Sequence, residues 1–421
     1  MRLLLDYGSH GLPVDVPDDR TVVVAPRHTP AVADARAALD EALARPTAGP
    51  PLAALVAPGQ RVAISICDVT RAQPRQVMVE AILAALPGTR LDDVTLLVAT
   101  GTHRANTPDE LTRMLGPDLV ARCRIVNHDA RDDGALAFAG TTSRGVPVWL
   151  NRHWLDADVR ITTGFVEPHF FAGFSGGPKM VAPGLAGLAT TLVLHDARHI
   201  GHANAVWGIT HGNPVHDDVR EIAALTGVTF AVDVALNRDQ AITKVFAGTL
   251  LDEHAAACAF VKDTAMCPVD GLFDVVLTTN SGFPLDQNLY QAVKGMSAAA
   301  CIVKPGGTIV CAAECRDGVP DHGPYGRLLR QRRSPGELLA MVEAPGFAEQ
   351  DAWQVQVQAL IQQKARVLVK ADGLTHEHLR QAHFEPVTDV GMAVREALGQ
   401  AGPGATLAVL PHGPQTIPYV R

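Results

Sequence analysis

Three apolar runs, each ending in a cluster of polar residues, constrain the fold of this chain more than any other feature. RVAISI (residues 61–66) runs into CDVTR, VTLLVAT (94–100) into GTHR, and VRITTGF (159–165) into VEPHF. Runs of this kind, without polar alternation, read as strands buried on both faces, as in parallel sheets covered by helices. Helical patterns follow the first two, at Arg75–Leu86 and Pro108–Leu115, so the region reads as doubly wound α/β. In such sheets ligands gather outside the carboxyl ends of the strands. Asp68, Arg71, His103 and His169 all fall there.

Two short strand patterns (Leu3–Asp6 and Thr21–Ala25) and an alanine-rich helix near Ala31–Ala44 come first, followed by the Pro/Gly/Ala stretch PTAGPPLAALVAPG. A second α/β unit begins near Phe273. FDVVLTT reads as a strand, NSGFPLDQN as a loop, Leu289–Cys301 as a helix and GTIVCAA as the next strand; RVLVKA, a helix near Val390–Leu398 and TLAVLP follow. The expected architecture is two α/β domains, 1–265 and 273–421, each with a mixed or parallel sheet flanked by helices. A linker is expected near 262–272, the active site in the cleft between the domains, and PHGPQTIPYV as an extended terminal strap.

With 421 residues, 47% of them hydrophobic, the chain can bury more than one large core. A formal charge of −8 argues against nucleic acid or an anionic membrane as partner. Seven cysteines without a CxxC pair suit reduced thiols better than a disulfide framework. MRLLLDYGSH has too short an apolar run for a signal peptide, and no later run reaches transmembrane length. These features together predict a soluble cytoplasmic globular protein, and most such proteins of this size are enzymes.

The densest chemical signal is GFVEPHFFAGFSGGPKMVAPG, residues 164–184. It combines His169, a glycine-rich turn at Gly173, Gly176 and Gly177, and Lys179 between Pro178 and Pro183. Glycine turns expose backbone N–H groups and admit a ligand close to the main chain, so a lysine held there is poised for an anion or for covalent chemistry. GFSGGPK lacks the GK[ST] ending of a P-loop, which argues against nucleoside triphosphate hydrolysis. His103 and His169 are two possible proton-transfer groups, and Arg71 is suited to a carboxylate. Their bland readings are a helix-entry residue, a structural loop histidine and a surface ion pair with Asp68.

His195, His199 and His202 recur at spacings of four and three, which would set them on one helical face. That face is either a metal-ligand arrangement or solvated polar surface, and His211 and His216 add candidates without geometry. In the second domain DQNLYQAVKG brings Asp286, Tyr290, Gln291 and Lys294 within about two helical turns. Gln291 and Lys294 share a face. Arg104 and Arg198 are further cations that could meet a second substrate carboxylate.

The order DVTR, GTHR, EPHFFAGFSGGPK, a histidine sixteen residues after the lysine, then LDQNLYQAVKG, resembles the lactate racemase family over essentially the whole chain. The resemblance implies a racemase or epimerase of a lactate- or malate-like 2-hydroxy acid. It implies a covalently bound nickel-pincer nucleotide, a pyridinium-3-thioamide-5-thiocarboxylic acid mononucleotide carrying Ni, and reversible hydride transfer through a 2-keto acid. Carried over residue by residue, Lys179 would bind the cofactor covalently and His195 would ligate the nickel. His103 and His169 would be the acid–base pair. Asp68, Gly176, Gly177 and Tyr290 would surround the cofactor, and Arg71, Gln291, Lys294 and Trp353 the substrate. Cofactor-biosynthesis proteins would be transient partners. His199 and His202 have no role in that pattern. Two other readings stand beside this one: a metal-dependent hydrolase or lyase using the His195/His199/His202 face, and a non-catalytic nickel or cofactor carrier.

Overall fold

A computed structural model describes residues 1–27, 29–320 and 323–421. The chain forms two compact units. One comprises His28–His195 and Asn204–Lys262; the other comprises Met1–Arg27, Asp196–Ala203 and Asp263–Arg421.

The first unit is built on a six-stranded sheet in the spatial order Ile242–Gly248, Phe230–Leu236, Val159–Phe165, Val62–Cys67, Val94–Ala99, Arg124–Asn127. All neighbours are parallel except Ile242–Gly248, which closes one edge antiparallel. Both faces are covered, which is why the strands read as unbroken apolar runs. Ile64, Ile66, Leu96 and Val98 point to one layer with Leu39, Met78, Ile82 and Leu115. Ala63 and Leu97 point the other way, to Trp154, Leu185, Val219 and Ile222. The helices Arg75–Ala85 and Pro108–Arg122 fall where the pattern predicts, the second broken at Gly116 (φ 78°) just beyond Leu115.

The second unit holds a fully parallel six-stranded sheet in the order Glu385–Pro386, Arg366–Lys370, Val303–Ala312, Phe273–Thr279, Leu407–Leu410, Thr21–Val23. The N-terminal strand Thr21–Val23 thus pairs with Leu407–Leu410, so residues 1–27 pack with the C-terminal sheet, although the sequence reading groups them with the first domain. The sequence marks this segment as a strand, but nothing local to so short a strand reports which sheet it joins. The terminal strap forms Ile417–Val420, parallel to Met266–Val269. All seven cysteines are free, and no described helix is long and apolar enough to cross a membrane.

Candidate active site

Strand Val159–Phe165 delivers the chain into a tight hairpin, Pro168–His169 against Gly173–Phe174, in which His169 faces Gly173. A Cβ on Gly173 would lie 2.2 Å from the Ile209 carbonyl oxygen, so the hairpin closes only with glycine there. The following turn is fixed from beneath. The Gly177 N–H donates to Asp233 Oδ2 at 2.7 Å, and a Cβ on Gly177 would lie 2.5 Å from the His254 ring. His254 Nε2 lies 2.8 Å from the Ser175 carbonyl oxygen and His216 Nδ1 3.0 Å from that of Ala172. Carbonyls only accept, so both rings donate to the turn. Lys179 then stands in the single helical turn Gly177–Met180.

The buried ring of Phe171 is the centre of the arrangement. Its centroid is 4.6 Å from the His169 ring, 5.1 Å from the His195 ring and 5.6 Å from Lys179 Nζ. Both imidazoles meet it edge to face, a favoured geometry for aromatic pairs. Phe170 stacks on His169 at 4.9 Å, meets Phe171 edge to face at 4.5 Å and neighbours Trp207 in turn. The FF pair directly after His169 is the sequence signal for this role.

His195 ends the helix Leu188–Leu194 as its C-terminal cap, with Nδ1 2.8 Å from the Thr191 carbonyl oxygen. In the neutral ring the proton therefore sits on Nδ1 and the lone pair on Nε2, the form a metal ligand requires. The expectation that His195, His199 and His202 share one helical face is corrected. Asp196 caps a new short helix, Ala197–Ile200, so the histidines do not lie on a continuous helix. His199 is buried with Nδ1 2.7 Å from Asp196 Oδ1. Among the described residues no three His, Cys, Asp or Glu side chains are grouped to hold a metal ion.

Asp68 and Arg71 follow the strand next to Val159–Phe165, and His103 follows the strand after that. Asp68 is paired with His103 (Nδ1 to Oδ2, 2.8 Å) and also accepts from the Thr70 hydroxyl at 2.7 Å. The carboxylate side chain is 5% exposed and the imidazole 51%, so the acid is hidden and the base presented. Burial opposes the charge on Asp68, but His103, Arg71 and Thr70 outweigh it and hold the carboxyl below its usual range. The loop itself is tied by Arg75, which the sequence reading passed over. Its buried guanidinium donates to the carbonyls of Cys67 (2.8 Å), Gln73 (3.1 Å), Arg71 (2.6 Å) and Asp68. An arginine in register with Met78, Val79 and Ile82 on the apolar stripe of a helix was the sign of it.

The two spare cations are engaged. Arg104 forks onto Glu110 at 2.8 and 2.6 Å, and Arg198 lies 3.6 Å from Asp196.

In the other unit, helix Leu289–Ala300 starts at Asn288, which caps Gln291 N–H at 3.0 Å. Gln291 and Lys294 lie on its half-buried face, while Ala292, Val293 and Met296 enter the core. The Trp353 indole N–H donates to the Tyr290 hydroxyl at 3.1 Å, and Gln354 donates to the Tyr290 carbonyl at 2.6 Å. Asp286 is a scaffold residue: it accepts from the backbone N–H groups of Gly8 (2.8 Å) and Glu314 (2.9 Å).

The chain matches the model of the lactate racemase N-terminal domain over residues 7–208 and that of the C-terminal domain over 270–417. It is 31% identical to a lactate racemase of Thermoanaerobacterium thermosaccharolyticum over 98% of both chains, and 33% identical to one of Lactiplantibacillus plantarum over 89% of both. The solved apoprotein of the former superimposes with a TM-score of 0.93, at 31% identity and full coverage of both chains. A protein from Thermotoga maritima shares the fold, with a TM-score of 0.69 at 17% identity, covering 94% of this chain and all of its own.

Proposed function

The chain belongs to the lactate racemase family, a family of isomerases, and on that premise we propose that it interconverts the enantiomers of a short 2-hydroxy acid with a lysine-tethered nickel-pincer nucleotide. The observation that carries the proposal is the grouping of Lys179, His195 and His169 around the single ring of Phe171. A tethering lysine, one nitrogen ligand and one proton-transfer group are what such a cofactor needs from the protein. The group brings its own sulfur and carbon donors, so the scarcity of protein ligands around His195 fits it. When bound, it supplies a reversible hydride acceptor for the substrate's α-hydrogen.

The chain's residues do the rest. Arg71 follows the strand that lies between those leading to His169 and His103, an order that supports a carboxylate held at Arg71 between the two imidazoles. One histidine accepts the hydroxyl proton of one enantiomer, and the other, already protonated, donates its own proton to the keto oxygen as the opposite enantiomer forms. Asp68 holds His103 with Nδ1–H turned inward, leaving Nε2 as the base. Gln291, Lys294, Tyr290 and Trp353 are assigned to substrate and cofactor from the family resemblance. With Arg104 and Arg198 engaged by Glu110 and Asp196, a monocarboxylic substrate such as lactate is favoured over malate. Proteins that build the cofactor are its expected transient partners.

The test is protein purified from cells able to make the cofactor, examined by intact mass, metal content and chiral chromatography. The expected result is an adduct on Lys179, bound nickel, and conversion of either lactate enantiomer to the equal mixture. An adduct without activity on any short 2-hydroxy acid would identify a carrier instead. Zinc with unmodified Lys179 would point to hydrolytic chemistry.

A further inference from the structure

Beneath the glycine turn lie two carboxyl groups that the proposed chemistry does not use. Asp233 interrupts the apolar strand Phe230–Leu236 and is 1% exposed; Glu253, in the first turn of helix Leu250–Ala265, is 0% exposed. They are neighbours within hydrogen-bonding reach. Room for Asp233 is made by Gly164, its partner on the adjacent strand, where a Cβ would lie 2.6 Å from Asp233 Oδ1. The glycine in VRITTGF thus has a packing reason.

We infer that Asp233 and Glu253 form an acid–carboxylate pair holding a single proton, and that this pair is the positioning device that fixes the Gly176–Gly177 turn and so the base of Lys179. The argument begins with donors. Asp233 Oδ2 accepts the Gly177 N–H, whereas neither oxygen of Glu253 meets a donor heavy atom apart from the facing carboxyl. Two adjacent buried carboxylates cannot both ionise, and a proton on Glu253 supplies the missing donor toward Asp233. Burial pushes Asp233 up to about 7 and Glu253 well above the carboxylate range. The Gly177 N–H favours charge on Asp233, so the proton belongs to Glu253.

The surroundings are consistent with a neutral, rigid bed. His216 and His254 stack at 5.6 Å and are pushed down by burial to about 3 and about 4, so both are uncharged donors to the same turn. The Cys258 thiol beside His254 is pushed up by burial and stays protonated at neutral pH. The turn between Ala172 and Gly177 therefore receives donors from two rings on its carbonyls and an acceptor on its amide. Removing the acceptor strands the Gly177 N–H against a wall that water does not reach.

The significance for Lys179 rests on the proposed function, but the pair can be tested on the apoprotein. Isotope-edited infrared spectra at neutral pH should contain a protonated carboxyl band that shifts with labelled glutamate. Glu253→Gln should lose that band. Asp233→Asn should keep it, because burial alone holds Glu253 protonated and its hydroxyl then donates to the new amide carbonyl. In Asp233→Ala, hydrogen exchange over residues 173–180 should be roughly tenfold faster, while Glu253→Gln remains protected because its amide still donates to Asp233. From cells that make the cofactor, the Lys179 adduct should fall in Asp233→Ala and persist in Glu253→Gln. Absence of the acid band in the wild type, or unchanged exchange in Asp233→Ala, overturns the pair. Normal adduct with fast exchange overturns its positioning role. No adduct in the wild type with band and exchange as expected refutes the role of Lys179 and leaves the pair standing. If Asp233→Ala does not fold, the two isosteric variants still decide by infrared.

Discussion

Asp68 is the residue whose charge matters most to the proposed proton transfers. It fixes the tautomer of His103 and stabilises the imidazolium formed when Nε2 accepts a proton. Asp68→Asn keeps an acceptor for Thr70 and nearly the same shape, but removes the charge. We expect kcat/KM to fall by about 10²- to 10⁴-fold with little change in melting temperature; a large thermal loss with intact kinetics would make Asp68 a scaffold residue. Because its folded pKa is lowered, the stability Asp68 contributes is full above the ordinary carboxylate range and is lost as pH falls through that lowered value. The two histidines give a second prediction. Every turnover needs one group to accept a proton and another to donate it, so His103→Gln and His169→Gln should each abolish net racemisation of both enantiomers. Full activity in either variant, followed by polarimetry from each enantiomer, would return that histidine to the scaffold.

At the scale of elements, the loop carrying Asp68 and Arg71 is held by one guanidinium that reaches four carbonyls. A lysine has three donors at a single point and cannot span that set. Arg75→Lys should cost about 2–4 kcal/mol of stability and also raise KM, because Arg71 loses its frame; unchanged urea midpoint and KM would show that the loop holds itself. The strands and their functional ends were legible because both faces of the sheet are covered and polarity begins where burial stops. Lys179, His169 and the glycine turn were legible for the same local reason. The break after His195 was carried by a cap, Asp196, whose weight against the four-and-three histidine spacing is invisible without the backbone. Arg75 and Asp233 escaped because their partners are, respectively, backbone carbonyls and a glycine far away in sequence, Gly164. The pairing of Thr21–Val23 with Leu407–Leu410 joins opposite ends of the chain, which no periodicity reports.

For the molecule as a whole, buried groups that titrate differently in the folded and unfolded chain set the response to pH. His216 and His254 are held at about 3 and about 4, mainly by burial, so between those values and about 6.5 the unfolded chain binds more protons. Their contribution is therefore full above that range and declines as pH falls toward their folded values. Asp233, pushed up to about 7, acts with the opposite sign: as pH falls from neutrality the unfolded chain gives up this advantage of ionisation, and the fold gains. The two tendencies offset one another, so the wild-type profile alone is uninformative and the difference between proteins carries the information. His216→Gln retains a donor for the Ala172 carbonyl but cannot titrate. Between pH 7 and pH 5 its stability should fall less than that of the wild type, by about 2 kcal/mol. Urea unfolding read by tryptophan fluorescence can measure this, since Trp149, Trp154 and Trp207 all lie in the unit that contains His216. Parallel profiles for the two proteins would mean that His216 takes up its proton in the native state, and that this ring under the glycine turn is charged rather than neutral.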